Sequence, residues 1–178
     1  MNFSIQEGDY VKDWKKARVT PLFKSGENFH VNNYRPVSVL PVISKVMERH
    51  VFNTFYDYLN ANKLSLEHQS GFRPKHSCET ALHNILDNWL ENIDKGKLTG
   101  IQFIDLSKAF DKVNHNVLMH KLLSFGICEN TFKWFYSYLN ERSQCVKWKG
   151  AISQEKDVTI GVPQGSILDP LFFFYPFC

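Results

Sequence analysis

The spacing of hydrophobic and polar positions changes along the chain, and each change predicts an element. Residues 17–24, ARVTPLFK, set Val19, Pro21 and Phe23 against polar or exposed neighbours, the period of an extended strand. SGENFHVNN, rich in Gly, Asn and Ser, reads as a turn. YRPVSVL after it is extended, because proline disfavours a helix at the residue before it. From Pro41 to about Asn60, the residues Val42, Ile43, Val46, Met47, Phe52, Phe55 and Leu59 recur at helical spacing, with proline well placed at the start. LSLEHQSGFRPKHS is a loop. A second amphipathic helix is expected from about Ser77 to Lys95, with Leu82, Ile85, Leu86, Trp89 and Ile93 on one face and Gly96 as its stop.

GIQFIDL, residues 100–106, reads as a short buried strand that is apolar on both sides until Asp105. Helices follow at Asn114–Phe125, closed by Gly126, and at Asn130–Asn140. QCVKWKG and KDVTI read as strands joined by a turn around Ala151 and Ser153. GVPQGS is a turn that leads into a helix. Single strands between helices imply an α+β or α/β layer. The strand of Asp105 is expected beside Cys145–Lys149 or Val158–Ile160.

Composition narrows the class. The chain has 178 residues, 43% hydrophobic and 22% charged, which suits one sizeable folded core and not wholesale disorder. A net charge of +3 suits a polyanionic partner without requiring one. The cations bunch at Lys12, Lys15, Lys16, Arg18 and Lys24, and again at Arg142, Lys147 and Lys149. Cys78, Cys128, Cys145 and Cys178 show no CxxC spacing and read as free thiols in a reducing compartment. The opening MNFSIQEGDYVKDWKK lacks the apolar stretch of a signal peptide, and LFFFYPFC is too short to span a bilayer. The expectation is a soluble intracellular protein of the nucleus or cytoplasm, neither secreted nor membrane-bound.

Candidate chemistry gathers in three places. Asp105 ends an apolar strand, where a carboxylate is costly unless partnered. A divalent metal is one such partner, and a helix N-cap made by the carboxylate is the other reading. Gly161-Val162-Pro163-Gln164-Gly165-Ser166 makes a tight turn that a flat ligand can approach, or a plain loop with Ser166 as a cap. Lys24 and Arg35 flank a hairpin turn, a point charge and a planar fork suited to a triphosphate or simply surface charges.

NYRPVSVLPVISKVMERH, HQSGFRPKHSCETAL, FIDLSKAFDKVNH and GVPQGSILDPLFF, in this order, resemble the consecutive signature blocks of reverse transcriptases of non-LTR (LINE-type) retrotransposons. Group II intron enzymes share part of the pattern. The resemblance, from about Trp14 to Phe174, implies an α+β right-hand polymerase fold. Residues 1–100 would be mainly fingers and 101–178 a partial palm, with helices packed on a small, mostly antiparallel sheet. It implies RNA-directed DNA polymerisation by two-metal chemistry, with Mg²⁺ or alternatively Mn²⁺, on an RNA template, a DNA primer and deoxynucleoside triphosphates. By the same resemblance, Asp105 is the catalytic, metal-binding aspartate and the Leu106 carbonyl assists the second ion. Phe110 is the ring that crowds a ribose 2′-hydroxyl. Gln164 and Gly165 pack on the incoming nucleotide, and Lys24 and Arg35 hold its triphosphate. Asp111, also typical of the family, is expected to be structural, capping the following helix, with metal ligation as the other reading.

The sequence departs from the family in two ways. Asp169 stands where the family usually has glycine, and no adjacent aspartate pair occurs in the chain. Two-metal transfer needs carboxylates enough to hold ions about 4 Å apart. The expectation is therefore a fragment ending before that pair and lacking the thumb, inactive on its own. Other readings are a non-catalytic retrotransposon relic that at most binds nucleic acid, and an intron maturase-like fragment.

Overall fold

The computed structural model describes residues 2–64 and 68–174. Two compact units divide it: one takes the described residues of 1–65 and 108–178, the other those of 66–107. The first is mixed α/β.

Its sheet begins with a hairpin of β1 (Lys16–Phe23) and β2 (Tyr34–Val39), paired antiparallel with Phe23 opposite Tyr34 and Arg18 opposite Val39. β3 (Arg142–Trp148) lies parallel to β1 on its other edge. β4 (Ala151–Ile152) and β5 (Lys156–Val158) pair antiparallel with β3, so most of this small mixed sheet is antiparallel. The turn expected around Ala151 and Ser153 is partly strand: Ala151 pairs with Trp148.

Five helices complete the unit: α1 (Asn2–Glu7), α2 (Val42–Ala61), α4 (His115–Ser124), α5 (Glu129–Leu139) and α6 (Asp169–Phe174). Burial of apolar side chains drives their packing. Met47, Phe55 and Leu59 of α2 join Leu118 and Leu122 of α4, Trp134, Phe135 and Tyr138 of α5, and Phe172 of α6 in one core. Tyr10 enters the same core with its ring edge-on to Trp134, 5.3 Å between centroids. The polar opening of the chain gives no apolar period that would reveal α1 or this tyrosine.

The buried stripe of α2 differs from the expected one. Val42, Ile43 and Val46 are exposed, whereas Ser44 and Glu48 are buried beside Met47. Counting back from Leu59 and Phe55 in helical steps lands on Val51, Glu48 and Ser44, so the stripe is regular and contains a carboxylate. Among the described residues, none of the helices is long and apolar enough to cross a membrane.

The second unit carries α3 (Cys78–Asp94). Ser77 caps it by accepting the Thr80 N–H while the Thr80 hydroxyl accepts the Ser77 N–H, a reciprocal capping box. Gly96, at φ +66°, ends the helix. The expected strand of residues 100–106 does not form: Ile101 to Leu106 have no regular structure, and Phe103 is 88% exposed. A strand apolar on both faces needs pairing at its edges and cover on both sides. Neither expected neighbour pairs with it: β3 has β1 on one edge and β4 with β5 on the other, and among the described residues β5 pairs with β3 alone.

Candidate nucleotide site

The turn at 161–166 is built against two other segments of the first unit. Gly161 N–H donates to the Val113 carbonyl at 2.9 Å, and Val162 N–H to the Phe110 carbonyl at 3.0 Å. The Gln164 side chain donates to Asp111 Oδ1 at 2.7 Å. On the far side, Ser38 N–H of β2 donates to the Gln164 carbonyl at 2.7 Å. The turn therefore closes the outer edge of β2 and ties it to the Phe110–Val113 segment. His115 Nε2 contacts the Gly161 carbonyl at 2.7 Å and adds a buried anchor.

Gly161 is required by this contact. Its φ is +82°, and a Cβ there would stand 2.8 Å from the Asp111 carbonyl oxygen, which is backbone and cannot yield cheaply. Gly161→Ala is expected to lower stability by about 2–3 kcal/mol in urea unfolding. An unchanged midpoint would mean that the 110–113 contact is dispensable. Gly165, at φ +112°, is exposed, with the Ser38 carbonyl 3.0 Å from where a Cβ would be.

Asp111 does not cap the following helix. Asn114 does, its side chain accepting the N–H of Asn116 and Val117. Asp111 lies instead in a short 3-10 turn, Phe110–Lys112, with its carboxylate on Gln164. The capping group must immediately precede the first turn, and that place belongs to Asn114. Phe110 is half-buried, with its ring 4.9 Å from that of Phe173.

Lys24 and Arg35 are both exposed on the β1–β2 hairpin. Lys24 N–H donates to the Asn33 carbonyl at 2.8 Å, which continues the ladder one step past Phe23. Arg35 faces Leu22, so strand alternation sets Lys24 and Arg35 on one side of the hairpin. Arg35 lies three residues, about 10 Å along the strand, from the Ser38 anchor of the turn. Two cations of the sequence clusters are interior. Lys15 is 4% exposed, with its ammonium on the Ser137 hydroxyl and beside Glu141, and burial lowers its pKa. Arg142 is 2% exposed, donating to the Tyr138 carbonyl.

Asp105 and Leu106 belong to the second unit, where both are exposed. Of the expected set, Phe110, Gln164 and Gly165 come together in one unit with the hairpin of Lys24 and Arg35. An accessible carboxylate beside a carbonyl offers hard oxygen donors of the kind Mg²⁺ accepts, completed by water and substrate phosphates. Among the described residues, no three His, Cys, Asp or Glu side chains gather as a metal cluster.

Sequence reading missed Glu48 and gave Asp169 no role beyond a departure from the family's glycine. Asp169, at the start of α6 and 5% exposed, accepts the Gly165 N–H at 2.9 Å and the Ser166 hydroxyl at 3.0 Å. Burial raises its pKa to about 7, against the pull of those donors. Glu48, fully buried, accepts the Ile167 N–H at 2.7 Å, and burial raises its pKa too. The signal for Glu48 was its place on the α2 stripe. For Asp169 it was the Ser-x-x-Asp spacing of a helix start.

The family described as reverse transcriptase (RNA-dependent DNA polymerase) matches residues 16–175. The probable RNA-directed DNA polymerase from transposon X-element of Drosophila melanogaster is 35% identical over 90% of the chain and 18% of its own length. The RNA-directed DNA polymerase from mobile element jockey of the same organism is 32% identical over 97% of the chain and 19% of its own length. A probable RNA-directed DNA polymerase from transposon BS, also of Drosophila melanogaster, is 31% identical over 92% of the chain. The chain thus spans about a fifth of the length of these relatives. The resemblance drawn from the signature blocks holds across nearly all of it, and neither the relic nor the maturase-like reading is favoured.

Proposed function

The chain belongs to the reverse transcriptase (RNA-dependent DNA polymerase) family, and on that footing we propose that it forms the nucleotide-handling part of an RNA-directed DNA polymerase of a retrotransposon. It would be the fingers, mainly residues 1–100, and part of the palm, residues 101–178. The observation that carries this reading is the closure of the 161–166 turn on Phe110–Val113 and Ser38, with Gln164 bonded to Asp111. That closure holds Phe110, Gln164 and Gly165 in one unit with a hairpin carrying two exposed cations.

In this reading the Lys24 ammonium and the Arg35 guanidinium take the triphosphate oxygens. Phe110 limits room at the sugar 2′ position. Gln164 and Gly165 present a flat surface to the nucleotide. Asp105, with the Leu106 carbonyl, would hold a divalent ion. When bound, such ions activate the primer 3′-hydroxyl and neutralise charge on the transferring phosphate. Mg²⁺ is the proposed ion, with Mn²⁺ as the alternative. The substrates are an RNA template, a DNA primer and deoxynucleoside triphosphates.

The test is RNA-templated primer extension by a protein of the relatives' length that carries this chain. Incorporation of deoxynucleotides, with ribonucleotides strongly disfavoured, is expected. Absence of extension on every template would sink the reading. The 178 residues alone are expected to give no extension, since Asp105 is their one candidate metal carboxylate. Their binding to an RNA–DNA hybrid should be weak and fall with salt, because burial removes Lys15 and Arg142 from the two cation clusters and the rest of those clusters can neutralise only a few phosphates. Affinity that stays constant from low to physiological salt in filter binding would refute that surface.

A further inference from the structure

The inner side of the 164–167 turn is saturated. Gly165 N–H donates to Asp169 Oδ2 at 2.9 Å, Ser166 N–H to the Pro163 carbonyl at 2.9 Å, and Ile167 N–H to Glu48 Oε2 at 2.7 Å. The Ser166 hydroxyl donates to Asp169 Oδ1 at 3.0 Å and accepts the Asp169 N–H at the same distance. Glu48 Oε1 takes the Ser44 hydroxyl at 3.2 Å and the Tyr138 hydroxyl at 3.3 Å. Two carboxylates, 0% and 5% exposed, thus hold a stretch of backbone that carries no charge of its own. That is costly, because buried carboxylates lose their hydration. A turn can close on peptide bonds alone, as Ser166 to Pro163 does here.

The arrangement has a chemical consequence. Consecutive free N–H groups in a Gly-rich turn make a concavity for phosphate. Here those groups are already taken by internal acceptors, so a phosphate finds no free N–H on that side. The side left to a ligand is the exposed Gly165 backbone and the half-buried Gln164. A flat, uncharged surface meets that side well. Phosphate is better served by Lys24 and Arg35.

We propose that Glu48 and Asp169 are positioning residues that turn the N–H groups of Gly165 and Ile167 inward, so that the turn receives the sugar and base of a nucleotide and not its phosphates. This rests on reading the turn as nucleotide-facing. What it adds is a role for Glu48 and for Asp169, the residue at which the chain departs from the glycine of its family's pattern.

Two measurements test it. In the 178-residue chain, titration with pyrophosphate followed by amide NMR should leave the Gly165 and Ile167 N–H resonances in place. In Asp169→Gly, the freed Gly165 N–H should exchange about tenfold faster or more and should shift on pyrophosphate addition. Asp169→Asn, which keeps an acceptor oxygen, should restore most of the protection. In the polymerase-length protein, Asp169→Gly should raise KM for deoxynucleotides about tenfold with kcat within a factor of about two, and Asp169→Asn should recover most of that loss. Wild-type Gly165 or Ile167 resonances that move with pyrophosphate would overturn the proposal. So would faster exchange in Asp169→Gly with an unchanged KM, since the clamp would then be structural only. A wild-type protein that extends no primer would sink the polymerase reading, while the pyrophosphate titration would still decide which way the turn's donors face.

Discussion

Asp105→Asn, made in a protein of the relatives' length, is expected to lower RNA-templated primer extension by at least about a thousand-fold. Carboxylate ligation of a divalent ion contributes several kcal/mol to stabilising the charge of phosphoryl transfer, and about 4 kcal/mol corresponds to that factor. The amide keeps the shape and one oxygen but loses the charge that a hard cation needs. Asp105 is exposed, so the substitution removes no packing and should leave urea stability and hybrid binding unchanged. Asp111→Asn is the matched comparison. Its Oδ1 accepts the Gln164 side chain at 2.7 Å, and an asparagine oxygen accepts the same bond. That variant should keep extension within about tenfold of the parent, in line with the geometric cost of one hydrogen bond. The two variants are compared by single-nucleotide incorporation rates under saturating primer–template. Extension by Asp105→Asn within tenfold of the parent would remove Asp105 from the reaction. A collapse in Asp111→Asn as deep as that of Asp105→Asn would move Asp111 from the turn's support to the metal.

The parts of the fold read correctly from sequence are those fixed by local chemistry. Ser77 before α3, Asn114 before α4, and Gly96 and Gly126 after them mark ends because backbone donors and acceptors must be satisfied there. The β1–β2 hairpin follows from alternation on either side of a Gly/Asn-rich turn. The signature blocks located the turn at 161–166 and the Phe110 segment it packs on. Failures came where a residue's state depends on partners distant in the chain. GIQFIDL has strand composition, yet a strand exists only when a neighbouring edge pairs with it, and neither β3 nor β5 does. Lys15 and Arg142 stand in cation clusters with nothing local to mark them as interior, and their places are set by Ser137, Glu141 and Tyr138. Glu48 lies outside the apolar period expected for α2, and only the register of Phe55 and Leu59 places it inside. Asp111 had the composition of a helix cap, and a side chain 53 residues later took its carboxylate instead. Charged residues were the common difficulty: burial of a charge is decided by whether the rest of the fold supplies partners, which no local window contains.

Those buried carboxylates also set how stability responds to pH. Asp169 has an ordinary pKa of 3.8 and is raised to about 7 in the folded chain, chiefly by burial. Between those values the folded state keeps a proton that the unfolded chain has released. Stability therefore falls as pH rises from about 4 to about 7, and levels off above, where both states are ionised. A gap of about three pKa units corresponds to about 4 kcal/mol, an order-of-magnitude figure. Glu48 is raised in the same direction by burial and adds to the fall. The charged and titratable groups around the pair are Tyr138 of α5, itself raised well above its usual value by burial, Arg142 of β3, which draws Glu48 down, and Tyr10 before β1. Burial moves both tyrosines further above their usual value, away from this window, which leaves it to the two carboxylates. Glu155 is exposed and its pKa is lowered, first by the Ser143 hydroxyl, so its contribution has the opposite sign and is lost as pH falls below the usual glutamate range. The clean measurement is therefore a difference. Urea unfolding of the parent and of Asp169→Asn at pH 4.5, 6 and 7.5 should show the parent losing stability relative to the variant as pH rises. The variant has no proton to release at this position and should gain on the parent by about 2–4 kcal/mol across the range. Parallel pH profiles for the two proteins would mean that Asp169 is ionised in the folded state well below pH 7. The strength of the Gly165 and Ser166 bonds would then outweigh its burial.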